Sequence, residues 1–263
     1  MKKYIKEMIK RKDLVVYLVM SGQKADNRDS YLGYFWWLLD PLLNVLIFYL
    51  VRVVFLNRGG GPDLPLYLAI GLVVWKWMNA TISKSSRSIT RYSSIINQVY
   101  LPKSIFPLAT TFSEMFNFGF GLIVIAIFLI AFGVVPSWEI IFLPIIIIVQ
   151  LLFLLAVSLG VAYFSVFIRD IDHLIKHIVR IFFYVSPIIW GEPSSSSATM
   201  KKFSFLRDLN PVAIIVDSYR DILMYGRLPN IVGLSIVAMG SLIIFILLIR
   251  HYSRNEHKII KAL

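Results

Sequence analysis

The sequence has no cysteine, which excludes disulfides, thiol nucleophiles and Cys-based metal sites. Charge is scarce too. Only 16% of its residues are Asp, Glu, Lys or Arg, and only 15 of 263 are acidic, against about a quarter charged in a soluble domain. No G-x-x-x-x-G-K-[ST] motif and no glycine-rich strand turn occur, so the chain has nothing with which to cradle nucleotide phosphates. H-E-x-x-H and G-x-S-x-G are also missing, and no internal repeat is visible. The start, MKKYIKEMIKRKDL, lacks the apolar core and small-residue site of a cleavable signal.

What is abundant is apolar sequence, 58% of the chain, gathered in long runs. A helix rising 1.5 Å per residue crosses a hydrocarbon core of about 30 Å in about 20 residues. The runs therefore predict an all-α integral membrane protein with six spans, about 32–55, 64–82, 105–135, 140–167, 174–190 and 231–249. Residues 1–31 form an interfacial region, and 32–263 the transmembrane domain. Within the first, residues 2–12 place Tyr4, Ile5, Met8 and Ile9 on one side and lysines around the other, the pattern of a helix lying on a membrane surface. The fifth span is free of charge only from Ile181 and is short for a crossing. Between spans five and six, Asn210 at N-cap and Pro211 at N1 open a helix that closes near Gly226. Its Val212, Ile215, Val216, Tyr219, Ile222 and Leu223 share a face opposite Asp217, Arg220 and Asp221. It reads as part of a re-entrant outer hairpin over the short fifth span, or as a helix lying on the outer surface.

The net charge of +12 fits this topology. Six spans put both termini on one side, where nineteen of the 27 Lys and Arg then fall; six fall on the other, and Arg52 and Lys76 lie within spans. By the positive-inside rule the termini are cytoplasmic, and the basic charge needs no nucleic acid to explain it.

Several residues stand out against the apolar background. Tyr34, Phe35, Trp36 and Trp37 crowd the entry of span one, either as an interfacial belt or as rings facing a sugar pathway. Asp40, beside Pro41, is an acid within a span, expected near the interface or paired; Arg52 is expected to snorkel outward. Trp75-Lys76-Trp77 reads as a snorkelling lysine between belt tryptophans, or as a cation meeting an anionic cargo. Asp170, Asp172, His173 and His177 invite a metal or glycosyltransferase reading, but a solvated helix start explains them, so no metal ligand and no catalytic residue are expected. The acids buried in spans are few, Asp40 and Glu114, too thin for a proton relay, so transport energy is expected from a separate subunit. Half a pathway per chain suggests a symmetric dimer.

Lys84 to Pro107 lies between spans two and three and carries Lys84, Arg87, Arg91 and Lys103 but no acid. Its Ile95, Ile96, Val99 and Tyr100, followed by Leu101-Pro102, predict a short helix with one apolar face suited to gripping a partner protein.

The order of the basic N-terminal helix, Ser30-Tyr-Leu-Gly-Tyr-Phe-Trp-Trp-Leu-Leu-Asp-Pro-Leu42, Gly71-Leu-Val-Val-Trp-Lys-Trp77, Ile96-Asn-Gln-Val-Tyr-Leu-Pro-Lys103 and Asn210-Pro211 resembles the permease subunit of ABC-2 type polysaccharide exporters. Gln98-Val-Tyr-Leu-Pro-Lys and Trp-Trp-Leu-Leu-Asp-Pro look most like the permease for wall teichoic acid; an O-antigen-type, lipid or drug exporter is the alternative. The resemblance implies a plasma-membrane homodimer with two ATP-binding cassette subunits, which bind ATP and Mg, while this chain holds no cofactor. The cargo it implies is a lipid-linked polymer. Ile95, Ile96, Val99, Tyr100, Pro102 and Lys103 would form a coupling helix on the ATPase, and the N-terminal helix a gate. The aromatic start of span one and parts of spans two and five would line the passage, and residues 191–229, with Asn210, Pro211, Tyr219 and Arg220, would form re-entrant outer helices. An integral membrane enzyme acting on a lipid-linked sugar is the reading from another class.

Overall fold

The computed structural model describes residues 2–27, 31–55, 61–96, 101–135, 137–168, 170–189, 207 and 209–263. Among these, every regular element is helical. The N-terminal basic segment is two helices, α1 (Lys2–Lys10) and α2 (Lys12–Asn27). Next come α3 (Trp36–Leu50), extended by a π-helical turn over Val51–Phe55, and α4 (Leu64–Ser85). The short α5 (Ser93–Ile96) precedes α6 (Ile105–Ala131); α7 (Leu143–Phe167) and α8 (Ile171–Val185) follow. The chain closes with α9 (Pro211–Leu223) and α10 (Ile231–Ala262), which kinks at Asn255.

Five stretches are long and apolar enough to cross a membrane: Trp36–Phe55, Leu64–Ser85, Ile105–Ala131, Trp138–Phe167 and Ile231–Ala262. This fits an integral membrane protein. The expected fifth span is not among them, because α8 has 15 residues and covers only about 22 Å. It nevertheless runs antiparallel to α4 for most of that helix's length: Ser86 and Arg87 bond Asp172 near its start, and Tyr67 bonds the Pro187 carbonyl just beyond its end.

Helix α4 is the centre of the bundle. Within its spanning stretch 72% of residues are buried, against 11% for α3. Against α6 the approach is so close that a Cβ on Gly121 would lie 2.5 Å from Val73 Cγ1. Lipid tails are as apolar as leucine, so in a bilayer greasy contact alone favours no particular neighbour, and polar links carry more of the specificity. Those links are concentrated on α4.

A second core gathers at the end of the bundle that carries both termini. Tyr4 of α1, Ile89, Ile96, Leu101, Phe106, Leu159, Tyr163, Ile249, Tyr252 and Ile259 are buried there together. The connection between α4 and α6 is thus held between the N-terminal and C-terminal helices. Of the expected partner-gripping face, Ile96, Pro102 and Lys103 are buried inside this chain, and Lys103 is wholly inaccessible. Val99, Tyr100 and the side chain of Ile95 lie outside the described residues, as do Trp190, residues 191–206 and the side chain of Tyr34.

Candidate functional site

The basic residues of α4 and of the turn after it each meet an acid on a different helix. Lys76 Nζ lies 2.5 Å from Asp40 Oδ2 of α3. Two turns further on, Lys84 Nζ lies 2.7 Å from Glu114 Oε1 of α6. Just past the helix, Arg87 Nη2 lies 2.5 Å from Asp172 Oδ2 of α8. Asn44, one turn after Asp40, donates to its carboxylate and its backbone carbonyl, and Asn117 donates to Glu114. The two acids that composition singled out are therefore both paired with lysines of one helix.

A cavity of about 630 Å³ opens between α3, α4 and α8. Its polar lining comes from Asp40, Asn44, Lys76, Asn79, Ser83, Lys176 and Arg180, with rings of Phe48, Trp75, Phe183 and Tyr184. The Lys76–Asp40 pair faces this space, with side chains 42% and 49% exposed. Trp75 is buried and tilts against Phe183, which also meets Phe48. A second cavity of about 650 Å³, sharing Ser83 and Lys176 with the first, continues toward the terminal end past Lys84, Arg87, Arg91, Glu114 and Asp172. Together they form a tract of ion pairs, amides and hydroxyls beside aromatic rings. Such a tract can bind hydroxyl-rich cargo, because amides and paired charges exchange hydrogen bonds with sugar hydroxyls and rings pack on sugar faces.

The sequence-predicted residues divide. Asp40, Trp75 and Lys76 line the first cavity. Trp77 does not; it is buried and stacked on Phe118 at 4.5 Å, so the pattern of a lysine between two interfacial belt tryptophans does not hold. Trp37 packs edge-on to Phe120 and Phe116 and lines a smaller cavity of about 250 Å³ with Lys76 and Glu114, whereas Phe35 and Trp36 are exposed. Asn44, Asn79, Ser83, Arg180 and Phe183 escaped the sequence reading. The signal was present as helical spacing: Asp40 with Asn44, and Lys76 with Asn79 and Ser83, recur at three or four residues on one face.

Asp172 is almost fully buried and accepts from Ser86, Arg87 and Lys176. Burial pushes its carboxyl up, but these hydrogen bonds and the Arg87 charge outweigh that and hold it well below the usual carboxylate range. The acid of the Asp-x-Asp pair is thereby occupied in docking α8, while His173 and His177 point outward. No cluster of three potential metal ligands exists among the described residues.

At the opposite end, two arginines close α8. Beyond Ser186 the chain leaves helical geometry, freeing carbonyls in a buried place. Arg220 of α9 donates to the Pro187 and Ile188 carbonyls and to that of Tyr67, and lies 3.5 Å above the Tyr67 ring. Arg52 donates to the Ile189 carbonyl. Both positions correct the sequence expectation: Arg52 turns into the protein, and Arg220 is 1% exposed instead of lying on the polar face of its helix. Gly71 makes the room, since a Cβ there would sit 2.4 Å from Arg220 Nη2 and 2.8 Å from the Ile188 carbonyl. On α9 the six apolar residues expected to share a face are all buried, and Tyr219 donates to Gln150. Asn210 caps the helix by accepting from the Val212 amide, and its amide donates to Ser186.

No protein-family model matches the chain. Curated proteins do resemble it across almost its whole length. It is 26% identical to the O-antigen export system permease protein RfbA of Myxococcus xanthus over 91% of both chains. Two proteins of the same name from Klebsiella pneumoniae are each 28% identical over 95% of both chains.

Proposed function

We propose that this chain is the membrane-spanning permease subunit of an ABC-2 type exporter that carries a lipid-linked polysaccharide of the O-antigen kind across the plasma membrane. The observation that carries this reading is the end-to-end similarity to three O-antigen export permeases. It favours an O-antigen-type glycan over wall teichoic acid. The structure adds a physical reason against assigning polyanion selectivity to Lys76, because Asp40 already neutralises that charge.

In this reading the cavity between α3, α4 and α8 belongs to the glycan path, and α9 with its arginine clasp closes it on the outer side. Both termini lie in the cytoplasm, in keeping with the basic residues around them and with the packing of both terminal helices at one end. The little-buried α3 is the surface for a second copy. Energy comes from two ATP-binding cassette subunits that bind ATP and Mg, so the chain itself is no enzyme.

The test is purification of the tagged chain from its own cell membrane. Recovery of an ATP-binding subunit in equal amount, and ATP hydrolysis only by the complex, is the expected outcome. A lone chain that turns over a lipid-linked sugar, with loss of turnover on replacing Asp170, Asp172, His173 or His177 by alanine, would favour a membrane enzyme instead.

A further inference from the structure

At the terminal end of the bundle a charged pair sits where charge is costly. Lys103 has no accessible side-chain surface, and Glu256 of α10 is 9% exposed. Their ammonium and carboxylate are 3.6 Å apart, and the same carboxylate oxygen accepts the Lys103 backbone N–H at 3.1 Å. Around them stand Leu101, Phe106, Tyr252 and Ile259, a setting in which a well-packed apolar pair is commonly as stable as an ionic one. Stability therefore gives little reason for the charges. What the pair adds is a single fixed alignment between two segments.

Those segments occupy a particular place. Lys103 is two residues before α6 begins, at the exit of the connection from α5. Glu256 follows the kink at Asn255, which turns the last piece of α10. The neighbour of Lys103, Ser104, is bonded through its hydroxyl to Tyr4 of α1 at 2.9 Å. One short stretch of backbone is thus gripped from the C-terminal helix on one side and the N-terminal helix on the other. Two and a half turns into α6, Glu114 holds Lys84 of α4 beside the cavities. The Lys103–Glu256 link adds a directional tie between this exit and α10 to the apolar packing around it.

We infer that Lys103 and Glu256 are positioning residues that lock the exit of the α5–α6 connection to the C-terminal helix, so that motion there reaches α6 and α10 as one body. The inference rests on the exporter reading for its consequence, which is efficient conversion of ATP hydrolysis into export, but its geometry belongs to the chain alone.

The test removes both charges while keeping an acceptor for the Lys103 amide: the double variant Lys103→Met/Glu256→Gln. With spin labels on the isolated chain at Thr90→Cys and Lys258→Cys, both exposed positions in a cysteine-free background, the unmodified pair is expected to give a narrow distance distribution and the double variant a broad one. In the complex with its ATPase, the double variant is expected to assemble and hydrolyse ATP normally while export per ATP falls at least about fivefold, within the range of a typical coupling energy. Unchanged distances overturn the positioning claim whether or not the chain is an exporter. Unchanged export per ATP in an active complex overturns its coupling role, whereas an unmodified chain that never pairs with an ATPase contradicts the exporter reading instead.

Discussion

Lys76 of α4 and Asp40 of α3 meet at 2.5 Å on the wall of a polar cavity, with Asn44 completing the carboxylate. Removing one partner leaves a lone charge in a half-exposed polar cavity, a loss of up to about 1 kcal/mol, whereas removing both does not. Lys76→Met and Asp40→Asn are each expected to lower the melting temperature of the detergent-purified chain by up to about 4 °C, and the double variant to recover most of that loss. Measured melting temperatures that simply add would show that the pair is not coupled.

The arginine clasp gives a packing prediction. Gly71→Ala forces a methyl group into the Arg220 guanidinium and the Ile188 carbonyl, and overpacking of this kind costs about 1–3 kcal/mol. Arg220→Met leaves the buried Ile188 carbonyl without a donor, a loss of about 1–3 kcal/mol, while the Pro187 carbonyl keeps the Tyr67 hydroxyl and the Tyr67 carbonyl its place in the α4 ladder. Removing Arg220 relieves the guanidinium clash but leaves the Ile188 carbonyl 2.8 Å from the new methyl, so the double variant is expected to lose less than the sum of the two single losses but more than Arg220→Met alone. Chemical or thermal unfolding of the four proteins checks this.

Docking of α8 carries a pH signature. The Asp172 carboxyl lies below its ordinary value in the folded chain, so its ionised form binds more strongly there than in the unfolded chain. That stabilisation is complete above about pH 5, where an unfolded Asp is almost fully ionised, and is lost as pH falls from there toward the depressed folded value. Asp172→Asn is therefore expected to be less stable than the unaltered chain at pH 7, with the difference shrinking below about pH 5. A constant difference across pH 3–7 would contradict the assignment.

These cases also mark how far sequence reasoning reaches. The long apolar runs and the cap at Asn210 were readable because helix length and capping chemistry are local. The buried state of Arg220 was not, since its partners are carbonyls of residues 67, 187 and 188, which carry no sequence signal. Lys103 misled for the same reason: it was expected on a face that meets a partner protein, while the acid it is buried against lies 153 residues away. The shortness of the fifth apolar run was legible, and α8 with 15 residues is not among the stretches long enough to cross, but Arg87 and Arg220, which meet its two ends, come from elsewhere in the chain and left no local signal.

The resemblance to exporter permeases implies a coupling role for the connection between α4 and α6, which yields a further expectation. Val99→Asp and Tyr100→Asp are each expected to reduce export at least about tenfold, a loss of roughly 1.4 kcal/mol in coupling, while insertion and dimer formation persist. Normal export by both variants would remove the coupling role from this segment.

The central claim is that this chain moves a lipid-linked glycan with energy supplied by a partner. The most direct measurement is transfer of a labelled lipid-linked O-antigen across vesicles that contain the chain together with its ATP-binding subunit. ATP-dependent transfer by the complex, absent from either subunit alone and weaker for a lipid-linked teichoic acid, is the expected result. Transfer that proceeds without ATP or without the second subunit, or a complex that hydrolyses ATP and moves no glycan, would contradict it.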